Sequence, residues 1–80
     1  MPASWLGKDI TYEPGTGPRY TLRALKDGEV IDDCGGNAVS PLYEPQARRL
    51  IQLAVSAGYH VEAEAHTPDG RVEVTHHEPG

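Results

Sequence analysis

Tyr59-His-Val-Glu-Ala-Glu-Ala-His66, Thr67-Pro-Asp-Gly70 and Arg71-Val-Glu-Val-Thr-His-His77 carry the clearest pattern in the chain. Tyr59, Val61, Ala63 and Ala65 alternate with His60, Glu62, Glu64 and His66. That is the period of a strand with one buried face. Thr67-Pro-Asp-Gly70 sets Pro and Gly where a type I turn takes them. Val72 and Val74 then alternate with Arg71, Glu73, Thr75 and His77. A three-residue loop pairs Ala65 with Glu73 and puts carboxylates on the apolar face. A four-residue loop pairs Ala65 with Val72 and Ala63 with Val74, so both strands bury the same face. Register follows burial, which favours the four-residue loop. It sets His60 opposite His77, Glu62 opposite Thr75, Glu64 opposite Glu73 and His66 opposite Arg71.

Ahead of this hairpin (59–77), Ala47, Leu50, Ile51, Ala54 and Ala57 recur at helical spacing. Pro45 fits the first helical position, since its missing N–H is not needed there. Gly58 fits a left-handed C-terminal cap. The expected helix is 45–57, with Arg48, Arg49, Gln52 and Ser56 on its solvent face. Residues 35–44 form the loop before it.

Upstream again, Arg19–Lys26 and Glu29–Asp33 flank Asp27-Gly28. Asp-Gly favours a type I′ hairpin turn, which needs positive φ at both central positions. That predicts a hairpin over 19–34 with Leu25 opposite Val30, Ala24 opposite Ile31 and Arg23 opposite Asp32. Tyr20, Leu22, Ala24 and Ile31 then share one face, and Cys34 lies on the other. Residues 1–18 form an arm rich in Pro and Gly, with room for a short edge strand at 9–12. The fold class is therefore α+β in order β-β-α-β-β. It has two layers, with one helix packed on one face of an antiparallel sheet of four strands, or five with 9–12. Residues 19–78 form a single domain.

The chain has 80 residues, 38% of them hydrophobic, with no Phe. A domain this short buries only about 60% of its unfolded surface, so its core is lean. Twelve acidic against seven basic residues give a net charge of −5, which argues against a nucleic-acid binder. No apolar run reaches the length of a membrane span. Cys34 is the lone cysteine, so no internal disulfide forms. With no signal peptide, the expected compartment is the cytoplasm.

Catalytic motifs are missing. Gly15-Thr-Gly17 is no phosphate loop, and His60-Val-Glu62 lacks the Pro-Cys-x-x-Cys partner of a zinc deaminase. Cys34 follows Asp32 and Asp33, which disfavour a thiolate, so it reads as a small packed residue. No catalytic residue and no cofactor are expected. A Glu64/Glu73 acid–base dyad would lie on an open face with no cleft to exclude water.

The polar face of the second hairpin breaks a local rule, because Glu64 opposite Glu73 is a repulsive pair. That points to an acidic, His-flanked patch comprising Glu62, Glu64, Glu73, Thr75 and Arg71. Such a patch suits a protein with a basic surface, including the form of an acidic decoy for a nucleic-acid-binding groove. Trp5 in the arm is either a latch onto the core or an anchor for that partner. His60, Glu62 and His77 make the alternative, a metal or small-ligand site. His60 and Glu62 stand about 6.6 Å apart along one face, while His66 is about 20 Å from His60 and cannot join. His76 is expected at the rim of the core side, opposite Val61. The leading expectation is a small non-enzymatic protein-binding module (inhibitor, adaptor or accessory subunit). It would use the acidic face or an open sheet edge, with self-association as a further option. Neither nucleic acid nor membrane is an expected partner.

Overall fold

Glycines and one proline punctuate the chain where the elements end. A computed structural model of the protein describes residues 3–35 and 41–79. The strands are β1 (Ala3–Trp5), β2 (Lys8–Ile10), β3 (Arg19–Lys26), β4 (Glu29–Gly35), β5 (His60–His66) and β6 (Val72–His77), with one helix, α1 (Glu44–Ser56). Four strands form an antiparallel sheet in order β4-β3-β5-β6, and β1 and β2 form a separate two-stranded sheet. This is the expected α+β fold. The strand expected at 9–12 is β2 at 8–10, which builds a separate hairpin rather than a fifth strand. Positions 36–40 of the expected loop lie outside the described residues.

Both β4 and β5 run antiparallel to β3, so they are parallel to each other with β3 between. The α1 crossover lies over the sheet and packs on β3 and β5. It runs one residue earlier at each end than the spacing predicts, with Pro45 in its first turn. The Gly58 cap forms as expected, at φ 93°. Its N–H donates to Val55 O, and the Tyr59 N–H donates to Ala54 O, at 3.1 and 3.0 Å. These bonds satisfy the helix's terminal carbonyls and aim the chain into β5. Ala47 and Ala54 of α1 meet Ala24, Val61 and Ala63 of the sheet in one buried cluster. The small side chains bring helix and sheet close together.

The arm closes the core. Trp5 is fully buried, and its Nε1 donates to Leu50 O at 3.0 Å. Buried Gln46 clamps the following segment, donating to Thr11 O and accepting from the Glu13 N–H.

Both hairpins depart from the expected register. In the first, Asp27 and Gly28 have φ of 53° and 81°, as a type I′ turn requires. Leu25 pairs with Val30 as expected, but Ala24 then pairs with Asp32 and Arg23 with Asp33. Ile31 is the extra residue of a bulge, and 46% of it is exposed. The bulge turns Cys34 to the core beside Leu22. It also aims Asp32 at the arm, where Oδ2 accepts the Leu6 N–H at 2.7 Å.

In the second hairpin the loop is the three-residue one. Ala65 pairs with Glu73, Ala63 with Thr75 and Glu62 with His76. Thr67 N–H donates to Arg71 O, Gly70 N–H donates to Thr67 O, and Gly70 has φ 89°. That is a type I turn followed by a left-handed glycine, the standard three-residue hairpin loop. The carboxylate expected to be excluded by burial is tolerated because α1 does not cover β6. Glu73 and Thr75 face the helix side of the sheet yet remain exposed.

Candidate functional site

The face of the sheet away from α1 is set by this register. From β3 it takes Thr21, Arg23 and Leu25; from β5, His60, Glu62, Glu64 and His66; from β6, Val72, Val74 and His76. Four expectations change as a result. Glu64 faces Val74, so the repulsive Glu64–Glu73 pair does not exist. Glu73 and Thr75 lie on the opposite face from Glu62 and Glu64. His77 pairs with Val61 on the helix side, so it cannot converge with His60 and Glu62. His76, expected on the core side, instead stands beside His60 on the open face, ring centroids 5.8 Å apart. Among the described residues, no group of three or more His, Cys, Asp or Glu is placed to hold a metal ion.

One of the two carboxylate charges at the centre of the acidic patch is offset from within. Arg23 Nη1 lies 2.8 Å from Glu64 Oε2 and 3.3 Å from Glu62 Oε1. The Arg23 hydrogen bond is the main reason that the Glu64 carboxyl is held below its ordinary value, with His66 adding to it. A carboxylate with a depressed native pKa stabilises the fold at neutral pH and loses that contribution as pH falls. About a third of the Arg23 side chain is exposed, so the cluster contributes about 0.5–1 kcal/mol. Arg23→Met should therefore lose that much stability in urea titrations at pH 7 and almost none at pH 3. An equal loss at both would assign the effect to packing.

Cys34 is buried, and its thiol is pushed up to about 12 by burial first and by Asp32 and Asp33 second. A thiol held neutral at physiological pH is a poor nucleophile. Trp5, weighed as a partner anchor, is a core latch with no exposed surface. Arg71 lies at the loop end, paired with Asp69 at 3.0 Å.

The same register moves Val72 and Val74. Read as core, they stand on the open face at 53% and 49% exposure. The signal that locates them was present, since Gly70 at the third loop position specifies the three-residue loop. Every β6 residue from Val72 to His76 is exposed. On the helix side, a shallow groove between α1 and β6 is lined by Tyr20, Arg48, Ile51, Thr75 and His77.

The two sheet edges differ. The β4 edge carries a bulge and the carboxylates of Asp32 and Asp33, and β1 packs against it. Each of these discourages another strand. The β6 edge has no bulge, no proline and no lysine, and Glu73 is its one carboxylate. Among the described residues no helix is long and apolar enough to cross a membrane. Comparison with protein-family models, curated proteins and solved structures finds no match to this chain.

Proposed function

We propose that this chain is a small non-enzymatic protein-binding module, of the inhibitor, adaptor or accessory-subunit kind. Its partner adds a strand along the free edge of β6. One observation carries the reading: among the described residues β6 is bonded along one edge only, and Val72 to His76 are exposed. Such a strand offers a row of unpaired N–H and C=O groups, and main-chain pairing supplies affinity in strand addition. Val72 and Val74 add apolar surface that a docked strand would shield from water.

The acidic-face form of the reading is weaker. It rested on Glu64 facing Glu73, and those residues lie on opposite faces. Arg23 also occupies the acidic centre. An extended partner segment with apolar side chains suits β6 better than a basic surface does.

The test is affinity capture from host lysate, comparing the parent with Val72→Lys/Val74→Lys. Lysine on an edge strand blocks addition while leaving the β5 ladder intact. A partner captured by the parent and at least about tenfold depleted with the variant supports the reading, since hot-spot losses exceed that ratio. Equal capture by both overturns it, with the melting temperature as the control for folding.

A further inference from the structure

We infer that the strand added at β6 is the β6 of a second copy of this chain, paired antiparallel about a two-fold axis at Val74. This rests on the strand-addition reading above. The loop geometry fixes which backbone groups of β6 are free. Thr67 N–H donates to Arg71 O, and bonded pairs in an antiparallel ladder recur at every second residue. Glu73, Thr75 and His77 therefore point their backbone groups at β5. Val72, Val74 and His76 point theirs outward.

That alternation leaves few registers. A second β6 must oppose outward residues with outward residues. Setting Val74 opposite Val74 of the second copy opposes Val72 with His76 twice, which makes about six backbone hydrogen bonds. Sliding by one step toward the loop sets Glu73 against Glu73, a repulsive pair. Sliding the other way leaves only two outward pairs inside the strand. In the favoured register Glu73 meets Thr75 and Arg71 meets His77, so no like charges of opposite copies stand directly across. The half-exposed Val72 and Val74 of both copies then form one apolar cluster on the open face. The same patch serves both subunits, as a two-fold interface demands. Two four-stranded sheets become one of eight, and the free β6 edges disappear.

Charge supplies a discriminating signature. Each copy carries a net charge of −5, so two copies repel. Raising salt from about 0.01 to 0.15 M shortens the screening length from about 30 to 8 Å. Self-association at β6 therefore tightens with salt, whereas docking of a basic protein weakens.

Sedimentation velocity between about 5 and 500 µM reads the state directly, since interfaces of modest quality reach only about micromolar affinity. The expected result is a concentration-dependent monomer–dimer equilibrium, stronger at higher salt. Val74→Pro should weaken it by at least tenfold. Proline there removes only an outward N–H, so the β5 ladder survives and far-ultraviolet circular dichroism is unchanged. Should Val74→Pro fail to fold, Val74→Lys serves the same comparison. In the parent dimer the amides of Val72, Val74 and His76 become protected from hydrogen exchange. A chain that is monomeric throughout the range overturns the inference, and so does a dimer that Val74→Pro and Val74→Lys leave intact. A monomeric chain that still captures another protein through β6 removes the second copy alone and leaves strand addition standing.

Discussion

Trp5→Ala is expected to lower the midpoint of thermal unfolding by more than about 10 °C, the largest single effect of any side-chain truncation in this molecule. The core of the chain is built from small residues. Ala24, Ala47, Ala54 and Ala63 line the contact between α1 and the sheet, and Trp5, Leu22, Leu42 and Val61 are the largest fully buried side chains. The indole is the only aromatic among these four. Removing it leaves a cavity between α1 and the arm, and the loss typical of a buried Trp is about 3–5 kcal/mol. It also deletes the donor to Leu50 O, the bond that ties the arm to the helix. A domain of 80 residues has about 4–12 kcal/mol in total, so the variant loses a large share of it. Trp5→Phe helps to separate the two contributions, because it deletes the indole donor while keeping most of the apolar volume. A Trp5→Ala midpoint within a few degrees of the parent would show that the arm does not close the core.

The same residue shows what could be read from sequence. Trp5 stands in a stretch dense in glycine and proline nearby, with no periodicity to say which way it points. Its burial depends on the Leu6-Gly7 turn, where both residues take positive φ. Leucine rarely does so, and no local rule places a turn there. The helix and both main hairpins were legible because Asp27-Gly28, Pro45 and Gly58 each impose a specific backbone geometry. Register was less legible. The apolar pattern favours the four-residue loop because it buries Val72 and Val74, a premise that holds only where a helix covers the strand. The thirteen-residue helix packs on β3 and β5 and leaves Val72 to His76 exposed, so the premise fails at β6. There the turn chemistry of Gly70 decides instead. The bulge at Ile31 has the same character, since the contacts that accompany it, Cys34 in the core and the Leu6 amide on Asp32, are tertiary. An acidic patch inferred from a repulsive pair gave way to an exposed edge strand, and the metal triad lost His77 to the opposite face.

Gly35→Ala is the second large effect, expected to cost about 3–4 kcal/mol from backbone strain and overpacking together. Gly35 closes β4 at φ 81°, in the left-handed region, which alone costs an L-residue about 1–2 kcal/mol. The rest comes from space. A methyl group on Gly35 would sit 2.3 Å from the Tyr20 carbonyl oxygen and 3.1 Å from Leu42 Cβ. Neither neighbour can yield easily. The Tyr20 N–H is bonded to Leu42 O at 2.7 Å, and Leu42 is fully buried. The Gly35 amide itself donates to the Tyr12 hydroxyl at 3.2 Å, so a shift of β4 away from Tyr20 also strains the arm. Gly28 provides the control. Its φ is also 81°, but a methyl group there would meet nothing within 4 Å. Gly28→Ala should therefore cost only the backbone share, about 1–2 kcal/mol. Urea denaturation of the two variants beside the parent measures the difference. Equal losses would mean that conformation alone fixes Gly35, and that the junction of β3, β4 and the segment before α1 has slack. A Gly35 loss at least twice that of Gly28 would show that close packing at this junction adds to the backbone cost.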